Sequence, residues 1–221
     1  MAGLRWTARL VVGLLAARAS AAQELAQVCA AAGKVTVGQW ASYSGNGGQM
    51  DGTTLRLAIV GSERHGDTTF YWFEINHTSG KDAARSEIVQ MLVPGFGVEA
   101  SEIRGLIVKL GAAPAMRVDQ MMPLVSGRMP QTNPALEFAR RCAGAQALGW
   151  EIVAASAGSV RALHAKDAQG WEAWVSQDVP FGFVKLRTQD RGTLVLTGGG
   201  TDAKSSIAET PQQLPWTTPR R

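Results

Sequence analysis

The 221-residue sequence predicts a mainly β domain of the α+β type, built on an antiparallel sheet. Three observations carry that expectation. Short runs rich in Val, Ile, Leu and aromatic side chains recur along the chain, separated by clusters of Gly, Asn, Asp and Ser. A single segment, beginning at Pro134, combines a capping residue with an amphipathic helical stripe. Several strand-like runs are apolar on both alternating faces, so a further layer must cover the second side of the sheet. WEAWVSQ at 171–177 is the clearest case, because Trp171 and Trp174 fall on opposite faces.

At the N-terminus, Arg5 and Arg9 precede an apolar run at 10–17 and the small residues Ala19, Ser20, Ala21 and Ala22, the plan of a secretory signal peptide. The apolar run is far shorter than the roughly 20 residues of a membrane-spanning helix. Residues 1–22 are therefore expected to be removed after Ala21 or Ala22, leaving one domain over 23–209 and a tail at 210–221. No integral membrane segment is expected after cleavage. Loss of Arg5, Arg9 and Arg18 leaves 19 basic residues against 18 acidic ones, scattered and mixed in sign. That distribution lacks the basic stripe of a nucleic-acid binder. In an exported chain the two cysteines, Cys29 and Cys142, predict a disulfide. A lipid-modified Cys29 is disfavoured, because Ala26, Gln27 and Val28 place no small residue directly before it.

The elements follow in order. VTVGQWASY (35–43) predicts a strand, and SGNGGQMDG a turn. TTLRLAIVG puts Leu55, Leu57 and Ile59 on one face and Arg56, Ala58 and Val60 on the other. After a turn at ERHGD (63–67), TTFYWFEINH puts Phe70 and Trp72 opposite Tyr71, Phe73 and Ile75, as an antiparallel neighbour. SEIVQMLV (86–93) reads as a strand, and EIRGLIVKL (102–110) as a strand or a short helix. Pro114, Pro123, Pro130 and Pro134 interrupt the next region, where Met116, Met121, Met122 and Met129 supply adaptable apolar surface rather than a copper site. Asn133 caps a helix from Pro134, with Leu136, Ala139, Cys142 and Ala143 on one stripe and Gly144 or Gly149 as its end. The remainder, GWEIVAAS, GSVRALHAK, WEAWVSQ, FGFVKLR and TLVLTGG, reads as an antiparallel meander, followed by a polar, proline-rich tail that frays.

Catalytic patterns are missing. His65, His77 and His164 form no metal-ligand spacing, and no G-x-S-x-G sequence marks a nucleophile. Pairing Glu151 with Glu172, or Asp178 with Asp190, as glycosidase acids has no basis in local sequence. GGGTDAKSS (198–206) lacks the phosphate-loop spacing and reads as a turn or bulge leaving the last strand. The expectation is a non-enzymatic protein with no cofactor and no metal.

The succession GWEIVAASAGSVRALHA, WEAWVSQDVPFGFVKL and TLVLTGGGTDAKSSI, with Ala157-Gly158, Trp174 and Val179-Pro180 at its turns and strand ends, resembles exported bacterial proteins of the LolA-like superfamily. YWFEI at 71–75 is similar as well. No arginine of this chain aligns with the lid-gripping arginine of that family's lipoprotein carrier. The resemblance implies a strongly curved antiparallel sheet forming an incomplete barrel, with one or more helices and loops over an apolar concave face. It implies a carrier or binding protein for a lipid, acyl chain or other apolar ligand in the envelope. The candidate cavity residues are then Leu57, Phe70, Trp72, Met91, Trp174, Phe181 and Phe183, large side chains on expected strands. The alternative is an envelope domain that binds another protein through its second apolar face.

Overall fold

The computed structural model describes residues 21–80, 82–96, 102–119, 138, 140–142, 144–156, 158–188 and 191–213. Residues 1–20 of the expected signal segment at 1–22, Met121, Met122, Met129, the cap at Asn133, Pro134, Ala157 and the tail beyond 213 lie outside those residues. Helix α1 covers residues 21–32, and residues 138, 140–142 and 144 are helical and form the visible part of α2. The strands are β1 (Trp40–Asn46), β2 (Thr54–His65), β3 (Thr68–Ser79), β4 (Asp82–Val93), β5 (Gly105–Leu110), β6 (Met116–Arg117), β7 (Gln146–Ala155), β8 (Gly158–Lys166), β9 (Glu172–Val175), β10 (Phe183–Thr188), β11 (Gly192–Gly200) and β12 (Gln212–Gln213).

They form one 12-stranded sheet in the order β12-β6-β5-β4-β3-β2-β1-β11-β10-β9-β8-β7. Every pair is antiparallel except β12 with β6. The ends of the order, β12 and β7, are not paired, so the curved sheet stays open rather than closing into a barrel. From β1 at the centre the chain steps outward to β6, crosses to the opposite edge at β7, and steps inward to β11. There β11 pairs with β1, Trp40 opposite Gly200 and Tyr43 opposite Leu196.

One face carries the main core. Leu57 lies opposite Ile75, and Ile59 opposite Phe73, which in turn faces Met91 on β4. These side chains pack with Leu25, Val28 and Ala32 of α1 and with Phe138 and Cys142 of α2. Cys29 and Cys142 form a disulfide with Cα atoms 6.0 Å apart, tying α1 to α2 over this face. β9 ends at Val175, Pro180 opens a short 3-10 turn over Pro180–Gly182, and Gly182 turns at φ 77° directly against Ala32 of α1.

The second face is covered by the chain itself. Residues 201–213 leave β11 and cross β1–β5, so the layer demanded by two-faced strands is here a C-terminal strap. Its anchor is Glu74, fully buried on β3. Glu74 accepts hydrogen bonds from Arg56 (3.1 Å), Gln90 (2.8 Å), and the backbone N–H (2.9 Å) and hydroxyl (2.7 Å) of Ser206. Glu209 accepts from Lys109 at 2.5 Å, and Ile207 packs with Ile88, Ile107 and Trp72.

Several boundaries differ from the sequence reading, and two alternatives it left open are decided. β1 begins at Trp40 rather than Val35, because Gly38 turns at φ 93° and its missing Cβ admits the Thr201 carbonyl. β2 continues through Glu63 to His65, confining the turn to Gly66 and Asp67. The 105–110 run is a strand, held by pairing to β4 on one side and β6 on the other. The helix containing Cys142 ends at Gly144, and Gly149, at φ 138°, forms a bulge inside β7 instead. Gln212 and Gln213, assigned to the fraying tail, pair with Met116 and Arg117.

Candidate functional site

The concave face does not fill completely. Between the sheet and Phe138 of α2 lies a cavity of about 300 Å³. Leu55 and Ile75 contribute from β2 and β3, Leu186 and Leu194 from β10 and β11, and Trp171 from the turn before β9. These residues share one face because Leu55 opposes His77 and Leu186 opposes Leu194 in the ladders. The cavity is amphipathic along its length. Thr53, His77, Thr188, Arg191 and Gly192 also line it, and all belong to strand ends at one end of the sheet, where β2 and β11 begin and β3 and β10 finish. A mostly apolar recess of this volume with a few convergent polar groups has the form of a small-molecule site.

None of the seven residues selected from sequence lines this cavity. Leu57, Met91, Phe181 and Phe183 are on the concave side but are spent on packing: Phe183 stacks on Tyr43 at 4.2 Å, and Phe181 meets Phe73 and Phe96 at 5.8 and 5.3 Å. Phe70, Trp72 and Trp174 lie on the second face. Phe70 meets the His65 ring edge-on at 5.3 Å. Trp72 sits beneath the strap and lines a shallower recess with Glu63, Arg117 and Glu209. The selection favoured bulk, and bulky strand residues fill the centre of a curved sheet; the open space lies nearer its end, where medium-sized Leu and Ile side chains leave room. The signal available in the sequence was Trp171, a large residue just outside a strand, on the face opposite Trp174.

Trp174 belongs to a polar cluster that sequence reasoning passed over. His164 stacks on its ring at 4.2 Å, Lys185 Nζ lies 4.3 Å from the ring centroid, and its indole N–H donates to Glu151 at 2.7 Å. His164 contacts Glu151 at 2.8 Å through Nδ1 and Glu172 at 3.3 Å through Nε2. Glu172 also pairs with Arg187 and, at 3.0 Å, with Lys166. Glu151 and Glu172 are thus brought together around His164. The indole hydrogen bond, and then the imidazole, hold the Glu151 carboxyl below the usual carboxylate range. Desolvation is the largest influence on Glu172 and raises its pKa, but Lys166, Arg187 and His164 together outweigh it and lower the value. Every carboxylate in this cluster is engaged by a cation or an N–H.

Among the described residues two buried polar atoms have no hydrogen-bond partner, the Gln39 amide nitrogen and the Tyr43 hydroxyl, and burial raises the pKa of Tyr43 well above 10.0. Tyr43 is a neutral phenol. Among the described residues no group of three or more His, Cys, Asp or Glu side chains is placed to hold a metal ion, and no helix is long and apolar enough to cross a membrane. No family model, curated protein or solved structure matches the chain, which leaves the concave cavity and its lining as the basis for assigning a function.

Proposed function

We propose that the protein is an exported, non-enzymatic binding protein that shelters an acyl chain or similar apolar group in the cavity of its open sheet, in the manner of the LolA-like proteins its sequence resembles. The observation that carries this reading is the recess bounded by Leu55, Ile75, Trp171, Leu186 and Leu194 and by Phe138 of α2, the helix that the disulfide ties to α1. Each methylene buried there contributes about 0.8 kcal/mol, so a short chain reaches useful affinity without a specific polar partner. The disulfide suits an oxidising compartment, in keeping with an N-terminal export signal.

The test is to express the full chain with its N-terminal segment, purify it from the periplasm without detergent, and examine it by native mass spectrometry and organic extraction. Near-stoichiometric acyl species are expected. Ile75→Trp, which fills the cavity, is expected to lose them. Trp174→Ala is expected to keep them while lowering the melting temperature, because Trp174 lies on the other face. An empty wild-type protein that also binds no added acyl chain would overturn the reading.

A second reading is favoured by one observation. β7 is an unpaired edge, and it exposes Leu148 (51%), Trp150 (37%) and Ile152 (69%). Two copies pairing antiparallel about Trp150 would set Leu148 against Ile152 twice. Concentration-dependent association that Ile152→Lys abolishes, with no extractable lipid, would support this interaction role instead.

A further inference from the structure

We infer that the cavity takes a single-chain amphiphile with an anionic head, the head held at the strand-end rim by Arg191 and His77. This rests on the apolar-cavity reading above and names the ligand class of that site. Volume is the first argument. A water-sized group occupies about 30 Å³, so about 300 Å³ accommodates on the order of ten methylene-sized groups. That is one medium-length chain, not the two or three chains of a membrane lipid or lipoprotein anchor.

Charge is the second argument. Among the described residues the lining includes one permanently charged side chain, Arg191, and one imidazole, His77, and no carboxylate. Three arginines of the sheet are by contrast taken up by carboxylates: Arg56 by Glu74, Arg117 by Asp119, Arg187 by Glu172. Neither the Arg191 guanidinium nor the His77 ring has a hydrogen-bond or ion-pair partner among the described residues. Glu87 opposes His77 on β4 but is not part of the lining.

Position is the third. Thr53, His77, Thr188 and Arg191 gather at one end, while Leu55, Ile75, Leu186 and Leu194 lie one or more residues further along the same strands. A chain lying along the apolar part therefore brings its head to the rim. There a guanidinium forms paired, charge-assisted hydrogen bonds to a carboxylate or phosphate. A cationic head would meet Arg191 and be repelled.

Isothermal titration of the delipidated full chain with decanoate, decyl phosphate, decanol and decyltrimethylammonium tests this. Decanoate or decyl phosphate is expected to bind at least tenfold tighter than decanol, and decyltrimethylammonium weakest; whichever anion binds better identifies the head as carboxylate or phosphate. Arg191→Gln is expected to remove the gap between the preferred anion and decanol, and Arg191→Lys to retain most of it. Equal affinity for decanol and both anions, or an anion preference that survives Arg191→Gln, would overturn the assignment of the head while leaving the cavity reading standing. Failure of all four ligands would overturn the cavity reading itself, and this one with it.

Discussion

At Gly182 the chain turns in the left-handed region, and a Cβ there would lie 2.1 Å from the Cβ of Ala32 on α1. The preceding Phe181 is itself at φ 61°, a conformation costing an L-residue roughly 1–2 kcal/mol. Gly182→Ala combines that backbone cost with overpacking, and is expected to destabilise the protein by about 3 kcal/mol in thermal or denaturant unfolding. Adding Ala32→Gly should recover only the steric part. A second residue-scale pattern concerns tryptophan. The indoles of Trp40, Trp72, Trp150 and Trp174 donate to Asp202, Glu63, Glu24 and Glu151, while Arg56, Arg117, Arg161 and Lys185 respectively lie over their rings. For Glu63 and Glu151 the indole bond is the leading reason the carboxyl pKa is lowered from 4.5. A folded-state value below the unfolded one stabilises the protein fully above about pH 4.5 and ceases to do so as pH falls through the folded value. The melting temperature is therefore expected to fall on acidification from pH 5 to pH 3, and less steeply in Glu151→Gln.

At the scale of elements the C-terminal strap is held by polar groups where the core is held by packing. Glu74→Ala removes the acceptor of four hydrogen bonds and leaves Arg56 without its partner. Its cost is expected to be about 3 kcal/mol, with amide protection lost at 203–209 before it is lost in β2 or β3; hydrogen exchange by mass spectrometry reads both. Most strands were legible in the sequence because runs of branched and aromatic side chains are bounded by turn formers, as where Leu55, Leu57 and Ile59 face the core together. The strap was not, since TDAKSSIAE has neither period. Its one trace was Glu74 itself, a lone acid within FYWFEI that needed something to bury it. β9 was legible as a strand, but its polar cover was not, because Glu151, His164 and Lys185 come from three other strands and meet only through register. The disulfide was readable from the cysteine count together with the expectation of export. The cavity was not, since voids depend on which side chains fall short of one another.

For the whole molecule, the sequence conveyed an antiparallel meander, and the resemblance an open curved sheet, while the strand order between them came only from structure. β6 and β7 are adjacent in sequence yet lie on opposite flanks of the sheet, and β1 and β11 meet at its centre. The seam between them has consequences for how the chain folds. Each flank joins neighbours across short turns, so it forms at the rate of hairpins. Trp40 and Gly200 must find each other across about 160 residues, a closure with a large entropic cost that no other contact rewards until the seam zips. Refolding with the disulfide reduced, so that the full span must close, is therefore expected in two phases by stopped-flow fluorescence. The slow phase should lengthen on weakening the seam at Leu196→Ala, and stay nearly unchanged on weakening the β7–β8 hairpin at Val153→Ala. Until the seam closes the two flanks present β1 and β11 as raw strand edges in addition to β7, which makes the half-folded chain the species most at risk of aggregation.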